Sequence, residues 1–162
     1  MLKNAKWLRN LILLALILLN IGCDQLSKNL VRKHLDYHDQ ITFANEHVML
    51  TKVENSGAFL SMGDEWSPVV KSLFLHFFPA MMMLGLIVWL FRYRMDWGMA
   101  FGISCIIGGG IGNIFDRLMY GSVTDFLYIH YGYLRTGVFN GADMSITFGA
   151  LIIIALGIFR KH

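Results

Sequence analysis

GGGIGNIFDRLMYGSVTDF, residues 108–126, followed after a short connection by FNGAD, residues 139–143, is the stretch that decides the fold. It closes one long apolar run and leads into the next. Asp125 and Asp143 stand out within it, each close to glycines and to an Asn or Arg. A carboxylate at a membrane boundary is unfavourable unless it is hydrated, paired or used. Two of them, presented from consecutive segments at the same face, point to a single site.

The rest of the chain has the composition of a membrane protein. It has 162 residues, 56% of them apolar and 15% charged, where soluble domains average about 25% charged. A soluble protein of this size has too much surface for its volume to bury so much apolar material. The formal net charge of +3 is too small to indicate a nucleic-acid partner, and no Lys/Arg run or basic-aromatic interleaving accompanies it. Cys23 and Cys105 both fall in apolar runs and are expected to be buried thiols rather than a disulfide.

A spanning helix needs about 20 mostly apolar residues. Four segments qualify, about 8–28, 69–91, 97–115 and 142–159, in a single membrane domain covering 1–162. Lys3, Lys6 and Arg9 before the apolar run Leu11–Leu19 give the first segment the look of a secretory signal. Gly22-Cys23 even suggests a lipid-attachment box, but Asn20 stands where that box wants Leu and three more spans follow, so a retained helix is expected. Lys3, Lys6, Arg9, Arg92, Arg94, Arg160 and Lys161 crowd into short tails and one tight turn, whereas the basic residues of the other side are spread over two longer loops. By the density of positive charge both termini are expected in the cytosol. The loops at about 35–62 and 116–141, with Asp125 and Asp143, then face outward. Trp66, Trp89 and Trp97 fall at span ends, where amphipathic rings prefer the interface.

The first outer loop has strand character. Ile41–Phe43 and His47–Val53 are rich in β-branched and apolar residues around an Asn45-Glu46 turn, predicting a small sheet on the outer face that ends at Asn55-Ser56-Gly57-Ala58. Gly98/Gly102 and Gly108/Gly112 in the third span, and Gly141, Ser145 and Gly149 in the fourth, are spaced for close helix approach in lipid.

Two adjacent carboxylates cannot both ionise readily, so they share a proton and can serve as acid and base toward water and an amide carbonyl. The plainer alternative is two separate solvated acids, with Asp143 capping the fourth helix. Asp116-Arg117 is a rival pair, expected instead to tie the loop down. Asp24 and Lys28 are four apart on the first helix and share a face, as a simple ion pair or as part of the site. Asn55, Asn113 and Asn140 recur at the outer boundary, where amides can hold a peptide backbone or satisfy loop carbonyls. Ser27-Lys28 cannot act as a Ser–Lys peptidase pair, because neighbours on a helix point about 100° apart. The histidines show no HExxH spacing, and GGGIG lacks the strand, Lys and Ser/Thr of a phosphate loop.

Gly109–Arg117 with Gly121–Phe126, and Phe139–Asp143, resemble the two signature blocks of the lipoprotein signal peptidases (signal peptidase II). Asp24-Gln25-Leu26-Ser27-Lys28 resembles that family's first-helix motif, and Asn55-Ser56-Gly57-Ala58 its outer-loop motif, so the likeness runs in order along essentially the whole chain. The chain departs from the family at Phe59-Leu60-Ser61, and at Gly141 and Met144 beside Ala142-Asp143. The resemblance implies a four-helix α-helical integral membrane protein with a small β-sheet cradle on the outer face. It implies an aspartic endopeptidase that removes the signal peptide from diacylglyceryl-modified prolipoproteins, cutting just before the lipidated cysteine. Asp125 and Asp143 would be the catalytic pair, with Asp24, Lys28, Asn55, Gly57, Asn113, Asp116, Arg117, Asn140 and Ala142 shaping or supporting the site. The expected partners are lipidated prolipoproteins and membrane lipid, with no nucleic acid, no metal and no cofactor, and the chain is expected to act as a monomer in the bacterial cytoplasmic membrane. A small four-helix carrier, or a non-catalytic lipoprotein-binding protein, are the competing classes.

Overall fold

The computed structural model describes residues 2–58 and 61–159, with side chains from Lys6 onward. Phe59, Leu60, Arg160 and Lys161, which entered the sequence reading, lie outside the described residues. Among the described residues four helices are long and apolar enough to cross a membrane: α1 (Leu2–His34), α2 (Pro68–Arg92), α3 (Trp97–Tyr120) and α4 (Gly141–Phe159). A four-stranded antiparallel sheet of β1 (Ile41–Phe43), β2 (Val48–Asn55), β3 (Val123–Tyr131) and β4 (Leu134–Arg135) lies beside them, in the order β1-β2-β3-β4.

Helix α3 is the axis of the bundle. Of its most apolar stretch 61% is buried, against 11–17% for the other three, so those three turn most of their surface to lipid. Glycine makes this central place possible. A Cβ at Gly102 would meet the Gly149 carbonyl of α4 at 2.9 Å, and one at Gly112 would meet the Asp24 carboxylate of α1 at 2.6 Å. The core is built from Leu13 and Ile17 of α1, Leu90 of α2, and Ala100, Ile103 and Ile107 of α3. Cys105 is buried as expected, but Cys23 is exposed. An apolar run marks a span without saying which face meets the bundle, and Cys23 lies on the outer face of α1.

Helix α2 is not regular. Pro79 has no N–H and its ring crowds the carbonyl four residues back. Just ahead of it, residues 72–77 widen into a π-helical turn, with the Phe78 N–H bonding the Leu73 carbonyl. Helix α3 ends where Gly121 adopts φ 78°, a left-handed cap that glycine takes without a Cβ penalty. The chain leaves this cap directly into β3. The stretch 116–141, expected as a loop, therefore carries the last turn of a helix and the longest strand of the sheet.

Candidate active site

Asp125 owes its place to the pairing of β2 with β3. Val53 stands opposite Asp125 and Asn55 opposite Val123, so Asn55 and Asp125 are diagonal neighbours on one face. Asn55 Nδ2 donates to Asp125 Oδ2 at 3.0 Å. The Asn55 Oδ1 accepts the Gly57 N–H at 3.0 Å, and the Gly57 carbonyl in turn accepts from Arg117 at 2.9 Å. Gly57 thus joins the outer loop to the end of α3.

Asp143 owes its place to the start of α4. Asn140 precedes the helix, its Oδ1 accepts the Asp143 N–H at 3.0 Å, and Asp143 Oδ2 accepts the Asn140 N–H at 3.2 Å. This is a reciprocal capping box, with Asn in the capping position and Asp at the third helical residue. The expected capping tendency of Asp143 is real, but Asn140 is the cap. Asp24 of α1 supplies another acceptor, taking the buried Ala142 N–H at 2.8 Å.

Buried amides join the two carboxylates. Asn140 Nδ2 donates to Asp125 Oδ1 at 2.6 Å, while Asn113 Nδ2 donates to Asp143 Oδ1 at 2.8 Å. Asn140 is fully buried and Asn113 8% exposed. Lys28, also fully buried, donates to Asn113 Oδ1 at 2.9 Å and to Asp24 at 2.7 Å. Asp24 and Lys28 therefore form both the ion pair and a support for the amides. Asp116 stands behind this layer, paired with Lys28 at 3.0 Å and Arg32 at 3.1 Å and accepting from Gln25 at 3.0 Å. Its partners come from α1, so it ties α3 to α1.

Asp125 and Asp143 line a common cleft of about 230 Å³ with Asn55, Asn113, Arg117 and Asn140. Phe74, Leu75 and Pro79 of α2, with Val123 and Val138, form its apolar wall. Burial pushes the Asp125 carboxyl up to about 6, and the neighbouring Asp143 carboxyl acts in the same direction. Hydrogen bonds from Asn55 and Asn140, and the charge of Lys28, oppose the rise. Such a group can hold or release a proton near neutral pH. Among the described residues, no three His, Cys, Asp or Glu side chains gather as metal ligands.

Residues 16–159 match the signal peptidase (SPase) II family model. The chain belongs to the signal peptidase II family. A lipoprotein signal peptidase of Desulforapulum autotrophicum is 32% identical over 160 residues, 98% of this chain and 97% of the relative. One from Xanthomonas oryzae pv. oryzae is 37% identical over 158 residues, covering 93% and 91%. A solved bacterial membrane enzyme shares the fold with a TM-score of 0.82 at 23% identity, over 93% of this chain and 89% of that one. Family membership, with four candidate spans, makes the chain a multi-pass membrane peptidase and sets the carrier aside.

Within this signal peptidase II, six of the residues expected at the site meet at the cleft: Asn55, Asn113, Arg117, Asp125, Asn140 and Asp143. Asp24, Lys28 and Asp116 stand behind them, and Gly57 and Ala142 contribute backbone groups. The sequence reading missed the α2 wall, although Pro79 inside an apolar span was its visible sign. It also missed Arg32, one turn beyond Lys28. Arg32 donates to Thr124 at 2.8 Å, Thr124 bonds Glu54 at 2.8 Å, and the Arg32 guanidinium lies 4.0 Å over the Tyr120 ring. These contacts pin the sheet to α1 and so fix the strand that carries Asp125.

Proposed function

We propose that the chain is an aspartic endopeptidase in which Asp125 and Asp143 activate water against the scissile amide. Its substrate is a prolipoprotein carrying a diacylglyceryl group, cut just before the lipidated cysteine, and the enzyme works as a monomer among membrane lipid. The observation that carries this reading is that two carboxylates from different elements face one cleft, bridged by the Asn140 side chain and backbone. One carboxylate takes a proton from water as its oxygen attacks the carbonyl carbon, and the other gives a proton to the carbonyl oxygen. Asn55, Asn113 and Asn140 orient the pair, while Asp24, Lys28 and Asp116 hold the helices that present it. Arg117 and Gly57 hold the outer loop over the cleft.

The surroundings suit such a substrate. A signal-peptide helix satisfies its own carbonyls, so its scissile amide must unwind where polar groups are available. An apolar groove of about 610 Å³ lined by Phe139, Met144, Phe148 and Leu151 runs past Asp143, giving the apolar part of the substrate a place beside the dyad. The charge distribution supports cytosolic termini and an outward-facing site. A cysteine placed at Ser61 should then be labelled from the outside and one at Asp96 spared; the reverse pattern overturns the orientation. Purified protein incubated with a diacylglyceryl prolipoprotein should release its signal peptide. Equal cleavage of the unlipidated precursor would remove the lipid requirement, and cleavage by an Asp125→Asn/Asp143→Asn double variant would remove the dyad.

A further inference from the structure

The two carboxylates differ in what holds them, and Lys28 is upstream of the difference. A carboxamide is asymmetric: its oxygen accepts and its nitrogen donates. The Lys28 ammonium only donates, so the end of Asn113 that meets it, at 2.9 Å, is Oδ1. The nitrogen end is thereby turned to Asp143 Oδ1 at 2.8 Å. Asn140 is oriented from the other side. Its Oδ1 holds the Asp143 N–H, so its Nδ2 faces Asp125 Oδ1 at 2.6 Å and Asn113 Oδ1 at 3.3 Å.

Asp143 consequently receives the Asn113 amide and the Asn140 backbone N–H, at the N-terminus of a 19-residue helix. Asp125 sits on a strand at 3% exposure with Asn55 and Asn140 as donors, where burial favours the protonated form.

We infer that Lys28 is a positioning residue: by fixing the Asn113 amide it keeps Asp143 as the carboxylate that takes the proton from water, leaving Asp125 to carry the proton given to the scissile carbonyl. This rests on the dyad reading above and assigns its two roles. As the water oxygen bonds to the carbonyl carbon, a water proton passes to Asp143 and the Asp125 proton passes to the carbonyl oxygen, forming a gem-diol. Asp143 then returns its proton to the amide nitrogen, a gem-diol hydroxyl proton passes back to Asp125, and the C–N bond breaks. The products are a carboxylic acid and an amine, and the pair ends as it began.

The charged groups around the pair are Asp24, Lys28 and Arg32 from α1 and Asp116 and Arg117 from α3. The α2 wall presents Phe74, Leu75 and Pro79. Arg117 donates to the Gly57 and Asn113 carbonyls, and Arg32 to Thr124. Lys28 is the cation bonded to the amide that reaches Asp143.

The test measures kcat and KM against pH with a lipidated prolipoprotein in detergent. Asn113→Asp keeps an oxygen for Lys28 but replaces the donor facing Asp143 with an acceptor. The acidic limb of the rate profile should then move up by about one pH unit. On that limb turnover should fall about tenfold or more with KM nearly unchanged. Lys28→Met removes the shorter of the two donations to Asn113 Oδ1, leaving that from Asn140, and should move the same limb in the same direction by a smaller step. An unmoved acidic limb in folded Asn113→Asp overturns the inference, as does a change confined to KM or to yield. Asn113→Asp decides alone if Lys28→Met does not fold. Asp125→Asn or Asp143→Asn retaining turnover would instead sink the dyad. Both inactive beside an unmoved limb removes only the role given to Lys28.

Discussion

The molecule holds two pairs of aspartates, and they are treated differently. Asp24 and Asp116 are met by cations, Lys28 at 2.7 and 3.0 Å and Arg32 at 3.1 Å. Asp125 and Asp143 are met by amides, from Asn55, Asn113 and Asn140. A cation offsets the charge of a buried carboxylate and ties together the segments that carry the two groups. An amide orients a carboxylate while adding no charge, so the group remains free to gain or lose a proton. The first pair is suited to joining helices and the second to proton transfer, although Lys28 and Asn113 link the two in one polar network.

Neutralising the acids one at a time should separate the two pairs most strongly. Asp125→Asn and Asp143→Asn should each lower turnover by about 10³-fold or more, with folding and substrate binding nearly intact. Cleavage assays on size-excluded, folded protein would show it. Near-normal turnover in either variant would end the distinction. Asp116→Asn should do the opposite, leaving Lys28 and Arg32 short of a buried counter-charge at a cost of about 3–5 kcal/mol. Thermal unfolding and yield should suffer more than turnover per folded molecule; a stable, inactive Asp116→Asn would place that acid with the chemistry.

A smaller effect tests the environment of Asp125 alone. Its carboxyl is raised from 3.8 to about 6 by burial, so the native state favours its protonated form. That contribution is fully present below about pH 4 and is lost as pH rises through about 6, amounting to about 3 kcal/mol. Asp125→Asn should therefore be more stable than the parent above pH 6, with the advantage shrinking toward pH 4. Melting curves in detergent at the two pH values would check it, and a pH-independent difference would mean that the carboxyl is better solvated. Smallest is Gly121→Ala. It meets open space but must hold φ 78°, so about 1 kcal/mol of stability should go. A larger fall in turnover than in stability would show that the angle between α3 and β3 sets the reach of Asp125.

The spans were legible because lipid demands long apolar runs, and the β1–β2 hairpin because its β-branched residues flank a turn. Val123, Thr124, Phe126, Tyr128 and Ile129 carry the same strand signal, but they lie between two membrane segments where a loop was the natural expectation. Consecutive segments ending at one face pointed Asp125 and Asp143 to a single site, but spacing left the dyad open beside two separate acids, since their approach depends on a sheet register and a helix cap that meet only in three dimensions. Motif resemblance supplied the choice of the pair. The exposure of Cys23 was hidden for a related reason: hydropathy sets depth in the bilayer but leaves rotation about the helix axis open. Asn140 showed its boundary position in the sequence, while its double service to cap and carboxylate needed the backbone.

That capping arrangement also bears on how the protein comes into being. The first helix, through Asp24, and the last, through Asn140 and Asp143, close the same helix terminus. Translation and insertion proceed from one end of the chain, so the acid at position 143 is the last of the four to arrive. Until the final span docks against α3, Asp143 lacks the Asn113 contact that aims it. On the proposed dyad, cleavage would begin only once the last span is in place, and so would report completed assembly in the bilayer.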